Sequence, residues 1–202
     1  TSPLEARSIA KMLKVSPSLA TGLGLRLALL GLTLWSQGKA GNFYEDSESF
    51  WLPLRNLWDH GVYSGDTSPP FRPDPLRPPV YPLFCFLASF LHSHPLPISL
   101  AQILLVYPLT HLALLKWLGA SRRSGLGAWF LALDVSHIVY GVLLMPDTLF
   151  LLMFVVLLYR LGEGRMGWRE GALLGLMHLT RPFAGVILAG AIVWVICEGR
   201  IA

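Results

Sequence analysis

Long apolar runs alternate with short polar connectors along this chain, and several of the runs have the length of a bilayer. Residues 18–36 are the first. A helix rises about 1.5 Å per residue, so such a run nearly matches a hydrocarbon core of about 30 Å and predicts a membrane span. Residues 98–118 and 125–144 are long enough to span as well, and residues 147–161 span if their flanks join them. Residues 80–92 are apolar but reach only about 20 Å, which predicts an interfacial or partly inserted helix, ended by HSHPLP. The last run, residues 168–197, reads either as one long tilted helix or as two short ones broken at Arg181-Pro182. The pair is favoured, with its break shielded by protein or facing water.

Residues 37–79 have a different texture, polar and rich in Pro, Gly, Asp and Arg. Within them, SESFWLPLRNLWDHG puts Phe50, Trp51, Leu54, Leu57 and Trp58 on one helical face. Two Trp on that face predict a helix lying in the interface plane. TSPPFRPDPLRPP fits neither a regular helix nor a central strand, because Pro lacks the amide donor and holds its predecessor extended.

Composition supports the membrane reading. Of the 202 residues, 53% are hydrophobic and 14% charged, against about 25% charged in soluble domains. The mean hydropathy is +0.54. The net charge of +4 is concentrated in connectors: Lys11/Lys14, Arg122/Arg123 and Arg160/Arg165/Arg169. This is the pattern of cytoplasmic loops, and no basic stripe with interleaved aromatics points to nucleic acid. Counting positive charges inside puts residues 1–17 in the cytoplasm, as a polar, basic segment that leads into a membrane anchor. A single membrane domain then covers 18–197, with a first outside loop of about 37–97, and 198–202 form a cytoplasmic tail. Arg26, near the start of the first span, is expected to snorkel to the headgroups. Cys85 and Cys197 lie in apolar runs and read as buried small hydrophobes, and no Cys/His spacing suggests a metal.

Three groups can carry chemistry. Tyr44, Glu45, Asp46, Ser47 and Glu48 follow the first span; their plainer reading is a solvated loop in which Asp46 or Ser47 caps the next helix. Arg72 and Arg77 suit a phosphate clamp through two-point guanidinium geometry, or else pair with Asp66, Asp74 or lipid headgroups. His111, Asp134, His137, Asp147, His178 and Arg181 fall at membrane depth, where ionisable groups are costly and draw functional interest. For each His the plainer reading is a satisfied packing role, and Asp147 after Pro146 is a plain helix cap.

Taken in order, YEDSESF, GVYS, RPPVYPLF, MPDTLFLL and GALLGLMHLTRP resemble the N-terminal membrane module of the GT-C glycosyltransferases. That superfamily includes protein O-mannosyltransferases and the lipid A aminoarabinose transferase. The resemblance covers roughly residues 18–197 and is most specific at RPPVYP, which contains Tyr81. It implies an all-α polytopic membrane fold with a large extracytoplasmic first loop bearing interfacial helices. It also implies transfer of a sugar from a polyprenyl-phosphate donor to an acceptor hydroxyl on the extracytoplasmic face, with inversion. By position the general base falls on Asp46, with Glu45 second. Arg72, Arg77 and Arg181 become phosphate-binding candidates, Asp147 fills the family's acidic position near the third–fourth span junction, and Tyr81 and His178 are further candidates. Because a lipid phosphate leaves readily, one base suffices. No cofactor is called for, with a divalent cation left open. The expected partners are membrane lipids, the donor and other membrane subunits. Family enzymes are usually much longer, which keeps a non-catalytic subunit of a larger membrane complex as the main alternative. A small transporter or lipid carrier is a third.

Overall fold

The computed structural model describes residues 16–38, 43, 45–73, 77–89, 95–119, 122–164, 167–187 and 189–190, except for the side chains of Glu45, Arg122 and Arg123. The described residues form helices and loops, with no strand among them. Helix α1 is Pro17–Gln37; the Ser16 hydroxyl caps it by accepting the Leu19 amide at 3.2 Å, and Pro17 opens its first turn. Then come α2 (Glu45–His60), α3 (Val80–Ala88), α4 (Leu96–Ala101) and α5 (Tyr107–Leu118). A wider π turn at Gln102–Val106 joins α4 to α5, in which the Tyr107 amide reaches back to the Gln102 carbonyl. Helices α6 (Arg122–Leu133), α7 (Val135–Val142), α8 (Asp147–Gly162) and α9 (Trp168–His178) complete the set.

Among the described residues two helices are long and apolar enough to cross a membrane: α1, and the continuous stretch Leu96–Leu118. The third expected span, 125–144, is a bent pair. α6 and α7 meet at 54°, and with the bend counted inside one span they are a third helix pair long and apolar enough to cross. The bend falls at Asp134, whose carboxylate accepts the Ser136 amide at 3.2 Å and starts α7 anew. α8, at 16 residues, reaches about 24 Å and is short of a full crossing unaided. α9 ends at His178, and residues 184–187 begin a further helical turn, so the helix breaks around Arg181-Pro182 as the sequence predicts. Large apolar side chains face outward on these helices, among them Leu32 and Trp35 of α1, Leu104, and Leu126 and Phe130 of α6. So much exposed apolar surface suits lipid better than water.

α5 packs along α8 and α6, α1 lies against α6 and α7, and α2 covers α3. One core cluster joins Phe50 and Leu54 of α2 to Tyr81, Cys85, Ile98 and Leu144; a second joins α8 to Leu174 and Met177 of α9. The amphipathic face of α2 is real, with Phe50 and Leu54 fully buried. Trp58 is half exposed and packs on Phe86 at 5.2 Å. α2 already includes Glu45, so Asp46 and Ser47 lie in its first turn and do not cap it. That start still suits acidic residues, because the first turn exposes helix amides.

Candidate functional site

The segment after α2 is built on Asn56. Its buried amide donates to the Ser64 and Asp66 carbonyls at 2.7 and 2.8 Å. The Asp66 carboxylate accepts the Arg72 backbone amide at 2.7 Å and hydrogen-bonds the Ser64 hydroxyl at 3.0 Å. Those donors hold its carboxyl below the usual carboxylate range, the Arg72 amide contributing most. His60 stacks on Phe71 at 4.3 Å, and the Tyr63 hydroxyl donates to the Arg77 carbonyl at 3.3 Å. A proline-rich segment without regular structure is thus folded back on α2, with Arg77 set over the Phe50 ring at 5.2 Å.

Tyr81 lies at the centre of the region beneath. It is fully buried, meets Phe50 edge-on at 5.3 Å, and donates its hydroxyl to Gln102 Oε1 at 2.7 Å. Gln102 Nε2 in turn faces the carbonyls of Tyr140, Gly141 and Leu143, the last at 2.8 Å, and the Ser99 hydroxyl donates to the Val142 carbonyl at 2.6 Å. The end of α7 leaves the Tyr140, Gly141 and Val142 carbonyls short of helical donors, while the Leu143 carbonyl also accepts the Met145 amide at 2.9 Å. The start of α3 is pinned to the end of α9 by a 3.2 Å bond from the Val80 amide to the Leu179 carbonyl. Just past that point Arg181 Nη2 pairs with Asp147 Oδ2, both side chains 30% exposed. Arg181 Nε is buried without a hydrogen-bond partner among the described residues. Pro146 is the N-cap of α8 and Asp147 stands in its first turn, so Asp147 is not the cap and its carboxylate is engaged by Arg181.

A second polar centre surrounds Arg26. The guanidinium is fully buried and stacks on the Tyr107 ring at 3.8 Å. It donates to the Gly22 carbonyl at 2.8 Å, to Leu131 at 3.3 Å and to Ala132 at 3.5 Å. The last two are carbonyls that the break at Asp134 strips of helical partners, and the negative end of the α6 dipole points the same way. Arg26 therefore does not snorkel: it caps a broken helix from inside the bundle. Gly22 makes the room, since a Cβ there would stand 1.8 Å from the Tyr107 hydroxyl. His111 bonds the Ser18 hydroxyl at 3.0 Å, and His137 flanks Tyr107 at 6.2 Å between ring centroids.

Among the residues singled out from sequence, the fold joins Asp147 to Arg181 and brings Tyr81 and Arg77 to Phe50. Asp46 is exposed one helical turn before Phe50. Arg72 is exposed and acts through its backbone amide in the Asp66 turn. His178 is exposed, its ring 3.6 Å from where a Cβ on Gly185 would lie. The Glu45 side chain, Tyr44, Asp74, Cys197 and residues 1–15 and 198–202 lie outside what is described. Sequence reading passed over Gln102 and misjudged Arg26. The signal for Gln102 was its amide inside an otherwise apolar span. Among the described residues no group of three or more His, Cys, Asp or Glu is placed to hold a metal ion.

No family model, no curated protein and no solved structure matches the chain.

Proposed function

We propose that this chain is a membrane-embedded glycosyltransferase of GT-C type, using a polyprenyl-phosphate sugar as donor. The observation that supports this reading best is spatial. Segments far apart in sequence but named together by the resemblance lie against one another: SESF on RPPVYP through Phe50 and Tyr81, RPPVYP on HLTRP through Val80 and Leu179, and MPD on TRP through Asp147 and Arg181. In the proposed reaction Asp46 takes the acceptor hydroxyl proton as its oxygen attacks the anomeric carbon. The bond from that carbon to phosphate oxygen breaks with its electron pair, and polyprenyl phosphate leaves with inversion at the sugar. Arg181 and Arg77 receive the phosphate charge; Arg181 does so by loosening from Asp147.

The same ion pair favours a second reading, a non-catalytic subunit of a larger membrane complex. An arginine neutralised by a carboxylate of its own chain is a weaker ligand for phosphate.

The test is sugar transfer from labelled polyprenyl-phosphate sugars by the purified protein. Asp46→Asn is expected to abolish at least about 99% of it, the usual scale for losing a general base. Activity unchanged by that substitution removes Asp46 from the mechanism. No transfer by the folded wild type across a range of sugars and acceptors selects the subunit reading.

A further inference from the structure

We infer that the groove between α6 and α8, floored by α5, binds a neutral sterol-class lipid, its fused rings along the apolar walls and its hydroxyl donating to the Asp134 carboxylate. α5 packs on both other helices, and the groove encloses about 980 Å³, at the upper end of the usual range for ligand sites. Leu114 and Trp117 form part of its floor, and Phe130, Leu133, Leu151 and Phe154 part of its walls. Asp134 is the one ionisable side chain among the described residues that line it. One Asp134 oxygen accepts the Ser136 amide; the other accepts no hydrogen bond among the described residues.

Neighbouring contacts fix the two ends of the groove. A Cβ on Gly127 would lie 2.5 Å from Leu118, and one on Gly162 3.6 Å from the Trp117 ring, so the start of α6 and the end of α8 meet the end of α5. Asp134 follows the last residue of α6 and therefore sits at the other end, toward the start of α8. Between Leu126 and Asp134 the groove runs for about 12 Å at 1.5 Å per residue. One leaflet of hydrocarbon is about 15 Å deep, so an acyl chain would outrun these walls, while a compact four-ring body fills them. The flat sides of Trp117, Trp129, Phe130 and Phe154 suit rigid rings, which also lose less freedom on binding than a flexible chain. The charge fits an alcohol. The Arg26 cation lies within electrostatic range of Asp134, and together they carry no net charge, so the site matches neither an anionic nor a cationic headgroup. A carboxylate oxygen only accepts, so the ligand must bring a donor, and a hydroxyl bonds to it more strongly than to a neutral acceptor. The inference rests on the membrane reading of the chain and not on sugar transfer.

Displacement of dehydroergosterol, a fluorescent sterol, from the full chain in neutral detergent tests it, with cholestanol, its ketone cholestanone and stearyl alcohol as competitors. Cholestanol is expected to compete at least about ten-fold better than cholestanone, the scale of a hydrogen bond to a charged group. Asp134→Asn, which keeps the helix cap and removes the charged acceptor, should bring the two close to parity. Phe130→Ala should weaken both; that side chain is 77% exposed, so its truncation leaves the core intact. Circular dichroism confirms that each variant is folded. Equal competition by the alcohol and the ketone in the wild type overturns the proposal, as does binding that does not saturate, which is annular lipid only. Stearyl alcohol competing as well as cholestanol also overturns it, assigning the groove to a linear lipid. So does a dimer that Phe130→Ala dissociates and cholestanol does not, which assigns the groove to a second copy.

Discussion

Arg26 and Arg181 place the same guanidinium in the same apolar body, each with its Nε buried and unbonded among the described residues, and the protein partners their other nitrogens in opposite ways. Arg26 is wholly buried and bonds to backbone carbonyls and an aromatic face, with no ion pair among the described residues. Arg181 keeps 30% of its side chain exposed and leans on one carboxylate. Carbonyls fixed by helix geometry cannot turn away, so the first arginine is locked. A partly exposed carboxylate holds its partner less firmly, and the proposed donor phosphate would take the place of Asp147 on Arg181.

The sharpest way to break the comparison is Arg26→Ala. It strips two carbonyls of α6 of their donors, each costing about 1–3 kcal/mol when left buried, so a loss of about 3 kcal/mol is expected in thermal unfolding in detergent. A smaller effect comes from Gly22→Leu, which drives Tyr107 off its seat and should cost about 1–3 kcal/mol by overpacking. If both variants unfold like the wild type, Arg26 is not the clamp described. Arg181→Gln sets the contrast. Stability should change by less than about 1 kcal/mol, as for partly exposed pairs. Sugar transfer should fall about ten-fold or more, the scale of one charged hydrogen bond. Equal stability losses at the two arginines would erase the distinction.

The smallest effect is local and depends on pH. Asp66 has a carboxyl held below its unfolded value of about 3.9, so its contribution is complete above about pH 5 and is lost as pH falls through the folded value, below about pH 4. Hydrogen exchange at the Arg72 amide should therefore accelerate below about pH 4 relative to the intrinsic acid profile, and Asp66→Asn should abolish that dependence.

Features governed by local periodicity were legible in the sequence. The first span, the amphipathic face of α2, the brief helix at Val80–Ala88 and the break at Arg181-Pro182 each follow from a short stretch of residues. The bend at Asp134 was not legible: Asp134 and His137 stood out only as polar groups at membrane depth, and the cost of breaking the helix there is met by another helix, through Arg26. Arg26 was misjudged for the same reason: two of its three carbonyl partners lie 105 and 106 residues away. Of the loop-end site, the Asp147–Arg181 pairing required the fold, since each residue alone had a plausible helix-end role. Gln102 went unnoticed because an uncharged amide raises no alarm in a hydropathy profile, although it ties Tyr81 to the end of α7.

The long-range clamp by Arg26 also bears on how the chain is made. Ribosomes add about 5–20 residues per second, so roughly 5–20 s separate the synthesis of Arg26 from that of its partners at Leu131 and Ala132. Through that interval the cation would have only the Gly22 carbonyl of its own helix as a partner, and at the centre of a bilayer an arginine costs about 2.5–3.5 kcal/mol. Entry of α1 into the membrane and closure of the bundle are then linked events. If α1 crosses a bilayer, it would be a reluctant insert until α6 arrives, and a chain arrested before residue 131 would leave it free to slip back.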